Sequence, residues 1–178
     1  MKMDRRQKAA YAAASEDVGM QEFVGPADNA EIIQMFADVG HSWVEDDSVA
    51  WCAAFVGSHL KRAGLPHTGK LTARSYLDWG QPVNDPEPGD IVVFWRGSRD
   101  GWQGHVGFYV SETDKSINVL GGNQGNAVSV KAYSKDRLLG YRRMPGALLH
   151  PDPQEQALGG LAGLLTRLFS FLSKGGPA

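Results

Sequence analysis

Ten residues, 81–90, divide this chain into two regimes. Pro82, Pro86 and Pro88 each lack the N–H that a ladder hydrogen bond needs, and Gly89-Asp90 adds turn chemistry, so the segment cannot be a central strand. Before it, apolar residues recur at helical spacing. Ile32, Met35 or Phe36, and Val39 mark one face of a segment that Asp28 or Asn29 can cap and Gly40 stops. Ala53, Val56, Leu60 and Ala63 mark a second helix, ended by Gly64 and Leu65-Pro66. After the break the texture is that of strands. Residues 91–95 are β-branched and aromatic on both faces, and 105–111, 116–121, 128–133 and 138–143 follow, joined by polar or glycine-bearing loops. Helices first and short strands afterwards predict an α+β fold, with N-terminal helices packed on an antiparallel sheet of about five strands.

The 178 residues suffice for one domain with tails. The sequence predicts a lead-in over 1–21, a domain over 22–146, a linker over 147–157 around His150-Pro151-Asp152-Pro153, and an amphipathic helix over 158–174. Leu158, Leu161, Leu164, Leu165, Leu168, Phe169 and Leu172 carry that last pattern. Such a helix can dock on its own domain or on a second copy; with Arg167 and Lys174 beside the apolar face it can equally contact a membrane surface. A net charge of −2 gives no basic stripe for nucleic acid. Lys2, Arg5, Arg6 and Lys8 precede an Ala-rich run, but Tyr11, Ser15, Glu16 and Asp17 interrupt it before it reaches signal-peptide length. Synthesis in the cytoplasm without a signal peptide is the expectation.

One cysteine excludes an internal disulfide and leaves a free thiol. Cys52 falls in the first turn of the second helix, with Asp47 or Ser48 as the expected cap, and the helix field there favours a thiolate. A thiol nucleophile needs a base, and the base needs a group to orient it. His41, His59, His67 and His150 lack matching partners, and His59 lies about two turns from Cys52 along the same helix. His105 opens a strand directly after a glycine-bearing loop. Asn123 at the neighbouring strand's end is the candidate orienting residue, with Gln124 next in line; an amide oxygen there would accept Nδ1–H and turn Nε2 towards the thiol. Trp51, Trp102 and Gln103 are candidate walls of a substrate groove. No HExxH or paired His/Cys spacing points to a metal, and no cofactor is expected.

Four segments, Trp51-Cys52-Ala53-Ala54-Phe55-Val56, Gly89-Asp90-Ile91-Val92-Val93-Phe94, Gly104-His105-Val106-Gly107-Phe108-Tyr109 and Gly121-Gly122-Asn123-Gln124, occur in the order and wording of a known group. The chain resembles the papain-like cell-wall hydrolases, NlpC-type peptidases and CHAP amidases, and within them a branch found in phages and prophages. The resemblance covers about residues 22–145. It implies a cysteine peptidase or amidase with a Cys52–His105 pair and Asn123 as third residue, Gln124 being the competitor. Its expected substrate is bacterial peptidoglycan, cut at an amide through a thioester acyl-enzyme. Better-known relatives place a second His or an acidic residue in the third position, so Asn123 departs from their pattern. For a chain made without a signal peptide, this activity implies action in the periplasm or cell wall after release or delivery, as by an endolysin or an injected effector.

Overall fold

The structure, a computed structural model, describes residues 1–25 and 27–146. The linker over 147–157 and the amphipathic helix over 158–174 lie outside the described residues. Three helices precede the sheet: α1 (Arg5–Glu16), α2 (Ala30–Asp38) and α3 (Cys52–Arg62). A 3₁₀ turn, Ala73–Asp78, leads to β1 (Gln81–Val83), β2 (Ile91–Trp95), β3 (Gly104–Glu112), β4 (Ser116–Gly121), β5 (Ser129–Ser134) and β6 (Leu138–Arg143). The strands form one antiparallel sheet in the order β1-β6-β2-β3-β4-β5. This is the expected α+β architecture of helices on an antiparallel sheet. A sixth strand, β1, comes from the proline-rich break. Pro82 is tolerated there because β1 lies at the sheet edge and pairs on one side only, with β6.

Helix α3 is the central rod. Residues 52–60 are all buried, so it carries no solvent-facing stripe over its first two turns. Ala53, Ala54, Gly57 and Ser58 are small enough for neighbours to approach closely, and α1, α2, β3 and β4 all pack against the helix. Strand alternation sends Val106 and Phe108 of β3 towards the helices, where Phe108 meets Phe55 edge-on at 6.3 Å and Tyr11 at 6.0 Å. Val92, Phe94, Tyr109, Ile117, Val119 and Tyr141 form a further buried cluster. Each large side chain enclosed in this way contributes about 1.5–3 kcal/mol.

The first residues fall in the same compact unit as the sheet, Met1–Gly146. Helix α1 buries only Gln7, Ala10 and Ala14, a narrow face that leaves little hydrophobic pattern to read. Polar bonds do the anchoring. Gln7 Nε2 donates to the Gly89 carbonyl at 2.9 Å, and Gln7 Oε1 accepts from Met144 N at 2.7 Å. Met3 bridges Pro145, and Asp4 N donates to the Met144 carbonyl.

Beside these bonds lies a buried ion pair. Arg143 Nε and Nη2 donate to the two oxygens of Asp90 at 2.8 and 2.6 Å, and the same guanidinium reaches the Met1 and Asp85 carbonyls. Asp90 also accepts from Glu87 N at 2.7 Å, which closes the Pro-rich turn on itself. One guanidinium thus joins the N-terminus, the turn before β2 and the end of β6. Arg143 Nη1 also pairs with the half-exposed Glu87 at 2.6 Å, so removing Asp90 would leave the guanidinium only this partner and its two carbonyls, at a cost of up to about 3–5 kcal/mol. Asp90→Ala is therefore expected to lower Tm by on the order of 10 °C, measured by calorimetry. An unchanged Tm would mean that the pair contributes no net stability.

Candidate active site

Cys52 opens α3, but not as the sequence suggested. The N-cap residue is Trp51, which supplies no side-chain cap bond. Asp47, an expected cap, is spent elsewhere: its Oδ2 accepts from Phe23 N at 3.0 Å and Asn29 N at 2.8 Å, tying the preceding loop together. Ser48 N is bonded instead to Asp46 Oδ1. No N-cap side chain therefore takes up the first-turn N–H groups of α3; those of Cys52 and Ala53 face the Cys52 sulfur itself, and such groups can receive a developing oxyanion.

A cleft of about 240 Å³ lies over this helix start, lined by Cys52 together with Ala50, Thr72, Arg96, Trp102, Gln103 and Asn123 among others. Cys52 is only 7% exposed, so the thiol sits at the cleft floor. Trp102 is 76% exposed and stands as an open aromatic wall. Gln103 holds its loop through its carbonyl, which accepts from Arg96 N and Arg74 Nε. Trp51 does not join them. It is fully buried, its Nε1 donating to Glu22 Oε1 at 2.8 Å and its ring edge-on to Phe55, so it is core and not groove.

His105 is entirely buried and pairs across strands with Phe94. Its ring stacks on Tyr133 at 4.8 Å and 18°, and Tyr133 stacks in turn on Phe94 at 5.0 Å and 24°. Its Nε2 lies 3.0 Å from Gln124 Oε1. Its Nδ1 lies 3.3 Å from Arg96 Nη2. A guanidinium can only donate, and an amide oxygen can only accept, so the bonds fix one tautomer. The proton is on Nε2 and the lone pair on Nδ1. That is the reverse of the orientation expected from sequence.

The amide that bonds His105 is that of Gln124, not that of Asn123. Gln124 is buried, and its Nε2 donates to the Val119 carbonyl at 3.2 Å and to the Ser129 carbonyl at 2.5 Å, which locks the amide with its oxygen towards His105. Asn123 has φ +54° and faces the cleft beside Cys52. The left-handed turn at Asn123 is what brings the following side chain inward. Asparagine tolerates that conformation far better than glutamine, and this preference is the sequence signal that separates the two.

Arg96 was missed altogether, because a cation just past a strand reads as solvated surface. It lines the cleft with Cys52 while bonding His105 and Tyr133, so it joins the thiol side of the site to the imidazole side. Among the described residues no carboxylate pairs with it.

Burial pushes the Cys52 thiol up, outweighing hydrogen bonds from the backbone at Val106, Ala53 and Cys52 and the positive charge of Arg96. Burial, with Arg96 second, pushes His105 down to about 3. Both shifts favour a neutral thiol and a neutral imidazole. Burial opposes the expected helix-field thiolate, the field being worth about 0.3–1 kcal/mol while burial can move a pKa by several units. Of the other histidines, His59 is buried and structural, with Nδ1 near the Phe55 carbonyl at 2.8 Å and Nε2 near Asp17 at 3.1 Å. Asp28, Asp46 and Asp47 offer oxygens within 4.8 Å of one another, as a cation would need. The Asp47 and Asp28 oxygens already accept backbone N–H bonds, which accounts for the cluster without an ion.

Residues 44–123 match the family model of the CHAP domain. Over that span the chain is similar to a CHAP domain. The match takes in Cys52, His105 and Asn123, stops one residue short of Gln124, and supports a papain-like cysteine hydrolase. Among solved structures, the chain is similar to an NLP/P60-family lipoprotein-like protein from Staphylococcus aureus, with 14% identity and a TM-score of 0.45 over 80% of this chain and 42% of that one. It is also similar to the P60 domain of an antigen from M. avium subspecies paratuberculosis, with 11% identity and a TM-score of 0.47 over 79% of this chain and 94% of that one. NlpC1 from Trichomonas vaginalis gives 18% identity and a TM-score of 0.45 over 80% and 45%. The chain thus spans less than half of the first and third of these. No curated protein matches it.

Two outcomes follow from the site. Alkylation of Cys52 by iodoacetamide should rise about tenfold per pH unit from pH 6 to 8, because the thiolate fraction grows that way below the thiol pKa. A flat profile over this range would reveal a thiolate–imidazolium pair instead. Gln124→Ala should lower kcat/KM on the order of 100-fold, as loss of a base-orienting group does, and Asn123→Ala by less than about tenfold. Steady-state rates of the two variants decide it, and the opposite ranking would restore Asn123 as the third residue.

Proposed function

We propose that this protein is a peptidoglycan hydrolase that cuts an amide bond through Cys52 and His105. The observation that carries the reading is a buried imidazole, held as the Nε2–H tautomer by Gln124 and bonded on its other nitrogen to Arg96, which lines a cleft floored by the chain's single thiol at a helix start. The CHAP match over residues 44–123, which takes in Cys52 and His105, supports the substrate class.

The reaction begins when an amide carbonyl enters the cleft. The Cys52 thiol gives its proton to His105 Nδ1 as sulfur attacks the carbonyl carbon. The oxygen gains negative charge opposite the Cys52 N–H, a type of donor whose loss typically costs about 100- to 1,000-fold. The tetrahedral species collapses, the C–N bond breaks, and the imidazolium returns the proton to the leaving amine. A thioester remains. Water then gives a proton to the same Nδ1, attacks the acyl carbon and frees the new carboxylate, while the proton returns to sulfur. Gln124 keeps the ring in one tautomer throughout, accepting from Nε2–H and stabilising the imidazolium that forms transiently.

The bond is that of an endopeptidase or of an N-acetylmuramoyl-L-alanine amidase, and the setting is the wall or periplasm, reached as a phage endolysin or a delivered effector. The exposed face of Trp102 suits a sugar ring or peptide at the cleft mouth. Purified peptidoglycan treated with wild type should release soluble fragments that Cys52→Ala does not, with mass spectrometry naming the bond from a free lactyl group or a new peptide terminus. Release by both proteins would exclude the thiol mechanism. Release by neither, from any wall type, would favour an idle wall-binding module or a thiol enzyme acting on protein.

A further inference from the structure

The imidazole lone pair that must take the Cys52 proton is occupied by a cation. Arg96 Nη2 sits 3.3 Å from His105 Nδ1, and the same side chain donates to Tyr133 and lines the cleft over Cys52. A guanidinium has five donors in a planar fork, and a neutral imidazole and a phenol use only part of that capacity. Its natural complement is a carboxylate, bound by two parallel N–H···O bonds, and none is supplied by the described residues. The exposed position of Arg96 leaves its fork open to a ligand that enters the cleft.

We propose that Arg96 is the anchor for a free carboxylate on the substrate, close to the scissile amide, and that the arriving carboxylate draws the guanidinium off His105 and frees Nδ1 for the Cys52 proton. This rests on the hydrolase reading and specifies its substrate: an amide in a peptide whose neighbouring acid is not amidated. Arg96 then both selects and enables. Without the carboxylate the base stays engaged, and the thiol stays protonated. With it, the positive charge beside the ring is neutralised as the fork turns to the ligand, and the imidazole becomes a better base at the moment the carbonyl is in place. On this proposal a wall whose stem acids are free is cut in preference to one whose stem acids are amidated.

The single cysteine gives a direct probe, because iodoacetate and iodoacetamide differ only in carrying a carboxylate or its amide beside the reacting carbon. Each forms the S–C bond at Cys52 as the C–I bond breaks, iodide leaving and the thiol proton passing to solvent. In wild type the ratio of the iodoacetate to the iodoacetamide rate should exceed that of Arg96→Gln by about tenfold or more. Arg96→Lys, which keeps the charge, should recover at least a third of the wild-type ratio. Lys131→Gln should leave the ratio unchanged, although Lys131 also adds positive potential at His105. An equal ratio in wild type and Arg96→Gln, or an equal fall in Lys131→Gln, would overturn the anchor. Digestion of purified walls with free and with amidated stem acids runs in parallel. Wild type should favour the free-acid wall at least about tenfold in rate, and Arg96→Gln should lose that preference; cleavage of both walls alike by wild type would also overturn the proposal. A fall in the alkylation ratio with no fragments from either wall would leave the carboxylate anchor standing and defeat the hydrolase reading. Fragments with an unchanged ratio would do the reverse.

Discussion

The bare backbone of Gly122 lies flat against the Trp51 ring. A Cβ at that position would overlap the ring and come within 2.7 Å of Phe55 Cβ, so only glycine fits without displacing the helix start. This contact fixes where α3 begins relative to the end of β4. On one side of it stands Cys52; on the other the chain turns through Asn123 into Gln124. Both halves of the chemistry are thus located by one close approach, and neither hangs on a long flexible loop. The burial of Trp51 follows from this. A ring that serves as the bearing surface for the β4–β5 turn cannot also face a substrate.

Much of this arrangement was legible because residue pattern and tertiary role agreed. Cys52 at a helix start, His105 at a strand start and the blocks of β2, β3 and β4 are local signals, and tertiary packing reinforced them. The misses share a different cause. Helix α1 is held by the two ends of one glutamine amide and by a few alanines, so its docking leaves no hydrophobic period. Arg96 follows a strand whose register does not reveal that its side chain turns back towards a buried ring. Asn123 and Gln124 offer the same amide group, and only the backbone φ at Asn123 decides which of them faces His105. The caps were misread for a related reason. Asp47 is a plausible helix cap by spacing, but two loop N–H groups compete for its oxygen and win.

The electrostatics of the site run against a simple picture of an activated thiolate. Two effects oppose one another at Cys52. The helix start and Arg96 favour the charged form, while near-complete enclosure disfavours it, and enclosure prevails. At His105 enclosure and Arg96 act in the same direction, and both favour the neutral ring. A charged pair would need two ions in a space that offers them little solvent and one guanidinium of fixed sign. The neutral pair needs only hydrogen bonds, and Gln124 supplies the one that matters for tautomer.

A neutral resting pair has a chemical consequence beyond catalysis. Thiolates are the form that oxidants attack, and accessible low-pKa cysteines are the ones lost to sulfenic and higher acids. Cys52 has no second cysteine to rescue it by disulfide formation. A sulfur kept protonated at the cleft floor is less open to oxidants, and is also a slower intrinsic nucleophile. The cost is recoverable only if the thiol is activated after substrate arrives, and the groups that can respond to a ligand are those open to the cleft. His105, Gln124 and Trp51 are sealed in packing and cannot move without disturbing the sheet. Arg96 is solvent-exposed, lines the cleft and touches the imidazole, so it is the group placed to carry a change in base strength when a ligand arrives.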